Sequence, residues 1–263
     1  MNNLLAIEWM KVRKYRTFWI LVGFFALLLP LWNNSISNGF LKVGVNSDIS
    51  IINEVYSFKE IWGNLGYWAS YFVVIITILT IIITTNEFNF RTNRQNIIDG
   101  WTRLQFFHSK CLLVLSLAIF TTMYVFIVGF LIGISNDSIS NFPGNINSLF
   151  YVFVLSLNYY SFGLILGILF KRSGISIGLF FLYSFMIETI LRAVINRITE
   201  FNAGNFLPLQ SSDELLPFPL VDIAKTMLQL KTDIALSNYV IASFAWIIIY
   251  YLIGRFRLLK SDW

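Results

Sequence analysis

One cysteine, Cys111, and one histidine, His108, are all that the chain holds of either residue. A single thiol cannot close an intrachain disulfide, and a lone imidazole leaves a protein-only zinc site without its ligand set. Charge is scarce as well: 13% of residues are Asp, Glu, Lys or Arg, roughly half the ~25% of an ordinary soluble domain. No G-x-x-x-x-G-K-[ST] phosphate loop occurs, so the chain is not expected to hydrolyse ATP alone. A nucleophile elbow and a metal-ligand helix are also missing. His108-Ser109 beside Lys110 has no partner carboxylate nearby in sequence and reads as interface polarity rather than catalysis. The chain is therefore expected not to be an enzyme and to bind no metal or cofactor itself.

What it has in abundance is apolar surface. Of 263 residues, 57% are hydrophobic and 17% aromatic, with 26 Phe, 12 Tyr and 8 Trp. The pI near 9.3 does not point to nucleic acid, because the basic residues flank apolar runs instead of forming one patch. This composition predicts an all-α integral membrane protein with one transmembrane domain over residues 1–263. Six spans are expected at roughly 17–32, 65–85, 112–134, 148–170, 175–195 and 237–254. The second run is rich in Ile, Val and Thr, which favour strand. Lipid demands internally satisfied backbone hydrogen bonds, so helix is expected there too.

The first run follows a basic segment, as in a signal peptide, but no small-x-small cleavage site follows it. It is expected to be a retained span ending around Pro30-Leu31-Trp32-Asn33. Before it, Leu5, Trp9 and Val12 recur at helical spacing beside Glu8, Lys11, Arg13, Lys14 and Arg16. That pattern fits a short amphipathic helix on the membrane surface, or a basic leader that only sets orientation. Long loops are expected at 33–63 and 196–236. Pro208, Pro217 and Pro219 break the second into pieces, with short helices at 213–216 and 221–230. Placing the N-terminus inside puts 13 of the 19 Lys and Arg residues on that side, which predicts both termini in the cytoplasm.

Residues 86–110 separate the second and third spans and are too long for a plain connector. Asp99-Gly100 is a helix stop, since glycine accepts the left-handed conformation at a helix C-terminus. Thr102 and Gln105 have the spacing of a capping box that opens a second helix. Ile97, Trp101 and Leu104 are expected on one face, with Arg94, Asp99 and Arg103 on another and Asp99 and Arg103 four apart. A structured, basic, amphipathic elbow suits docking. Within the fifth span, Glu188 and Arg192 are also four apart and are expected to pair, either facing a pathway or at the outer interface. Gly163, Gly167, Gly174 and Gly178 give the small-residue spacing of close helix packing.

Taken in order, these features resemble the permease subunits of type-2 ABC transporters, bacterial exporters with six spans per subunit. The likeness rests on Glu8-x-x-Lys11-x-Arg13 before the first span and on Glu87 followed by Thr92, Arg94, Gln95 and Asn96. It extends through Asp99-Gly100-Trp101-Thr102-Arg103, Phe106 and Lys110 into the third span. The proline-broken loop before the last span is similar to that family's external half-inserted helices. Arg91 stands where the family often has glycine, and the Pro or Leu frequent near Gly100 is absent.

The resemblance implies a bacterial plasma (inner) membrane protein that dimerises, as a homodimer, and binds two copies of a separate ABC ATPase subunit. ATP and Mg would be held by that partner. Glu87, Arg94, Asp99, Trp101 and Arg103 would form the cytoplasmic coupling helix region. The second and fifth spans would line the interface between copies. The apolar, aromatic spans suit an amphipathic peptide, an antibiotic or a lipid-like cargo, with membrane lipids as the surrounding partner. The alternative is an ATPase-independent receptor or scaffold whose elbow docks a soluble protein or, more weakly, anionic lipid.

Overall fold

The computed structural model describes residues 2–37, 56–138, 141–199, 201–218 and 234–260. Among these residues the protein is helical, with no strands. Six helices are long and apolar enough to cross a membrane: Arg16–Ile36, Ile61–Asn89, Arg103–Asn136, Ser148–Phe170, Ser173–Ile198 and Leu236–Lys260. They are called the first to sixth spans below. The N-terminal segment forms a helix of its own, Asn2–Arg13. Much of the expected 33–63 loop and the expected 221–230 helix lie outside the described residues.

The Thr-rich second span is helical, and its hydroxyls are satisfied locally. Thr77, Thr80, Thr84 and Thr85 donate to the carbonyls of Val73, Ile76, Thr80 and Ile81, one turn back, at 2.8–3.0 Å. The first span is expected to end around Pro30–Asn33; its helix instead passes through Pro30 and runs on to Ser37. Proline removes the N–H that would reach the carbonyl of Ala26. The Tyr124 hydroxyl, from the third span, donates to that carbonyl instead. A substitute donor lets the helix continue past the proline.

The fourth span is the centre of the bundle. Of its most apolar stretch 72% is buried, against 17% for the fifth and sixth spans. It packs on the second span through glycine: a Cβ at Gly163 would lie 2.8 Å from Thr77, and one at Gly167 would lie 3.0 Å from Thr84. Among the described residues, Gly174 and Gly178 pack on no helix of the same chain, since a Cβ at either would meet nothing within 4 Å. Near the end of the bundle away from the elbow, the Trp62 and Phe58 rings sit against Gly129 and Gly133 of the third span. Trp62 also stacks on Phe126 with ring centroids 5.6 Å apart.

The fifth span is interrupted by a π-helical turn, Leu182–Ile187, before the α-helix resumes at Glu188. Its outer face, including Phe181, Phe185, Met186 and Ile190, is uncovered. Beyond it the chain folds back into the bundle through a 3₁₀ turn, Ala203–Phe206, and a short helix, Gln210–Asp213. That helix replaces the one expected at 213–216. It reaches Asn158 and Tyr159, midway along the fourth span.

Candidate functional site

The elbow forms by local rules. The second span ends at Asn89, Arg91 takes a left-handed φ of 57°, and a helix follows over Thr92–Ile98. That helix closes around Gly100, whose φ is 97°. The Gly100 N–H reaches the Ile97 carbonyl and the Trp101 N–H reaches the Asn96 carbonyl, both at 3.0 Å. These two bonds are the usual closure around a left-handed glycine. The capping box then opens the third span: the Gln105 N–H donates to Thr102 Oγ1 at 3.1 Å, and the Thr102 N–H donates to Gln105 Oε1 at 2.8 Å.

Under the elbow lies a buried cluster of two acids and two lysines. Lys110 Nζ is wholly buried and donates to Glu8 Oε2 and to Glu87 Oε1, both at 2.7 Å. Lys11 Nζ donates to the same Glu87 oxygen at 2.8 Å and stands 3.6 Å from Glu8. Ser109 Oγ donates to Glu8 at 3.1 Å, and the Thr92 hydroxyl donates to Glu87. The cluster is formally neutral and fully hydrogen-bonded, the condition under which buried charges are tolerated. It clamps the N-terminal helix, the end of the second span, the elbow helix and the start of the third span together.

The five expected elbow residues therefore divide. Glu87 is buried in the cluster, Trp101 lies half-buried beneath Lys11 with Nζ 5.8 Å from its ring centroid, and Arg103 donates to the Leu259 carbonyl at 2.7 Å. All three hold the elbow to the bundle. Arg94 and Asp99 are exposed. Asp99 and Arg103 do not share a helix face, because the helix breaks between them; Asp99 accepts from the Gln95 side chain at 3.0 Å. What the elbow exposes includes Phe90 and Ile98, 73% and 77% exposed, with Arg91, Arg94, Gln95 and Asp99, also exposed, beside them in sequence. Sequence reading did not single out this apolar pair. Both residues sit at helix ends, where periodicity says little.

A second polar centre surrounds the inserted segment. Glu188 and Arg192 do not pair with each other as expected. Glu188 Oε1 accepts the backbone N–H groups of Leu209 and Gln210 at 2.7 and 3.0 Å, capping the short helix. Arg192 instead pairs with Glu214 and donates to Asn205 Oδ1 at 3.0 Å. From the fourth span, the Tyr159 hydroxyl lies 3.0 Å from both oxygens of Asp213. Asn158 Nδ2 donates to the Pro208 carbonyl at 2.7 Å and to Ser212 Oγ at 3.0 Å. Burial pushes the Asp213 carboxyl up to about 8, against the opposing effect of the Tyr159 hydrogen bond, with the carboxylates of Glu188 and Glu214 adding to the rise.

Sequence reading missed the structural roles of Glu8, Lys11, Lys110 and Asp213. For Glu8, Lys11 and Lys110 the only local signal is a charge beside apolar neighbours, and Asp213, between Ser212 and Glu214, carries none. Among the described residues, no group of three or more His, Cys, Asp or Glu side chains is arranged to hold a metal ion. The arrangement offers attachment of the elbow to the bundle and an exposed outer surface. No model of a known protein family matches the chain, and no curated protein is significantly similar to it.

Proposed function

We propose that the protein is the permease subunit of an ATP-driven exporter of the type-2 ABC class, coupled through its elbow to a separate ATPase. The observation that carries this reading is the elbow itself: it exposes two large apolar residues, Phe90 and Ile98, among charged and polar ones, and is fixed to the bundle by a buried charge cluster. An element held at both ends transmits a displacement, whereas a flexible loop absorbs it. Apolar anchors inside a polar rim are also the usual anatomy of a protein–protein contact.

In this reading the elbow and both termini face the cytoplasm of a bacterial plasma membrane, and two ATPase copies supply ATP and Mg. Two permease chains associate through the uncovered face of the fifth span, where Gly174 and Gly178 leave room for close approach. The second span, enclosed by the first, third and fourth, offers less surface for that contact. The inserted segment closes the pathway at the far end. The cargo is an amphipathic peptide, an antibiotic or a lipid-like molecule.

The test is co-expression with the ATPase encoded nearest to this chain, followed by purification through a tag on the permease. A stable complex is expected whose ATP turnover falls at least tenfold in Phe90→Asp/Ile98→Asp, a range set by typical central interface anchors. Undiminished co-purification in that variant would remove the elbow from the interface. No complex with any ATPase would favour a receptor or scaffold that docks another soluble protein.

A further inference from the structure

A groove of about 400 Å³ opens between the N-terminal helix, the first span and the third span. Its walls are apolar: Trp9 and Val12 on one side, Phe18 and Val22 on the next, Leu117 and Phe120 on the third. Its two polar side chains are both engaged. Glu8 is held by Lys110 and Ser109, and Ser116 donates to the Leu112 carbonyl at 2.8 Å. The groove therefore accepts hydrocarbon and offers nothing to a polar solute along its depth.

One end is different. The turn that joins the N-terminal helix to the first span carries Arg13, Lys14 and Arg16, all exposed. Among the described residues, no carboxylate is in ion-pair contact with any of them. The Trp19 indole N–H donates to the Arg13 carbonyl at 2.8 Å, which pins this turn to the groove wall. Trp9 and Trp19 meet edge-on, 6.3 Å between centroids, and tryptophan is a residue of the membrane–water interface.

We propose that this groove is a binding site for one anionic phospholipid, with a tail along the apolar walls and the headgroup phosphate on Arg13, Lys14 and Arg16. Charge favours that occupant, and a tail is slim enough to enter a groove of this size. Hydrocarbon gains little by leaving the bilayer for an apolar groove, so selectivity comes from the headgroup. Basic residues near an anionic leaflet favour it by about fivefold each. A bound tail braces the helix that carries Glu8 and Lys11, and through them the elbow. The site rests on the six-span membrane reading alone and stands whether or not an ATPase docks.

The experiment is native mass spectrometry of the full purified chain, titrated with phosphatidylglycerol or phosphatidylcholine of matched tails. The expected result is one phosphatidylglycerol retained per chain, preferred at least tenfold. The preference should fall to near unity in Arg13→Gln/Lys14→Gln/Arg16→Gln, which alters only exposed side chains. Plugging the groove from opposite walls, with Val22→Trp or Ser116→Trp, should abolish retention while the basic turn is intact. Equal retention of the two lipids by the unaltered chain would overturn the proposal. So would retention unchanged by both plugs, or a plug that alters chain dimerisation while leaving the lipid bound.

Discussion

Replacing Lys110 with Met tests the charge cluster most directly. The side chain is fully buried and contacts Glu8 and Glu87 at 2.7 Å each. Methionine conserves much of the volume and removes the charge, so Glu8 and Glu87 are left with Lys11 alone and the cluster changes from neutral to −1. Removing one member of a buried ion pair costs about 3–5 kcal/mol, because the remaining charge stays desolvated. That corresponds to roughly a hundredfold to several-thousandfold loss in the folding equilibrium.

The rescue is more specific than the loss. In the Lys110→Met background, Glu8→Gln leaves the 2.8 Å Lys11–Glu87 pair and restores neutrality. Glu87→Gln leaves only the 3.6 Å Lys11–Glu8 contact. Glu8→Gln should therefore recover most of the lost stability, and Glu87→Gln less. The assay is unfolding in mixed dodecyl sulfate and maltoside micelles, followed by circular dichroism. A loss under about 1 kcal/mol for Lys110→Met, or an Glu8→Gln effect that simply adds to it, would refute a buried, coupled network.

Two other perturbations probe separate parts of the bundle. Asp213 is held protonated in the folded protein, its carboxyl raised from 3.8 to about 8. The folded state then binds more protons than the unfolded state between those values, so stability should fall as pH rises from about 4 to about 8. Asp213→Asn should flatten that slope in unfolding midpoints measured across the window; identical slopes would contradict the assignment. Tyr124→Phe should cost about 1–3 kcal/mol by leaving the Ala26 carbonyl without its donor. Pro30→Ala restores the helical N–H and should make the same tyrosine change nearly neutral, a coupling that a double-mutant cycle would measure.

Span number and the interior of the elbow were legible in the sequence because their causes are local. A run of apolar residues must be helical in lipid whatever surrounds it, and the fourth span falls at Ser148–Phe170, where hydropathy alone placed it. Gly100 and the Thr102/Gln105 pair act within a few residues, so the helix–turn–helix joint could be read from their spacing. Charge partnerships were not legible. Glu188 and Arg192 stand four apart, yet each is claimed by the segment that folds back beside them, because backbone N–H groups and Glu214 reach them there.

The same division holds at the elbow and in the first span. Sequence determined that Glu8, Glu87 and Lys110 are charges lying before or after apolar runs. Only packing decided that they meet, since their neutralisation needs residues 102 positions apart in one case and 23 in the other. Sequence likewise placed the end of the first span around Pro30–Asn33. Tertiary structure carried the helix through, because a tyrosine 98 residues from Ala26 supplies the hydrogen bond that proline removed the means to make. Local chemistry fixes which segments are helices; the need to satisfy buried charge and backbone fixes which of them touch.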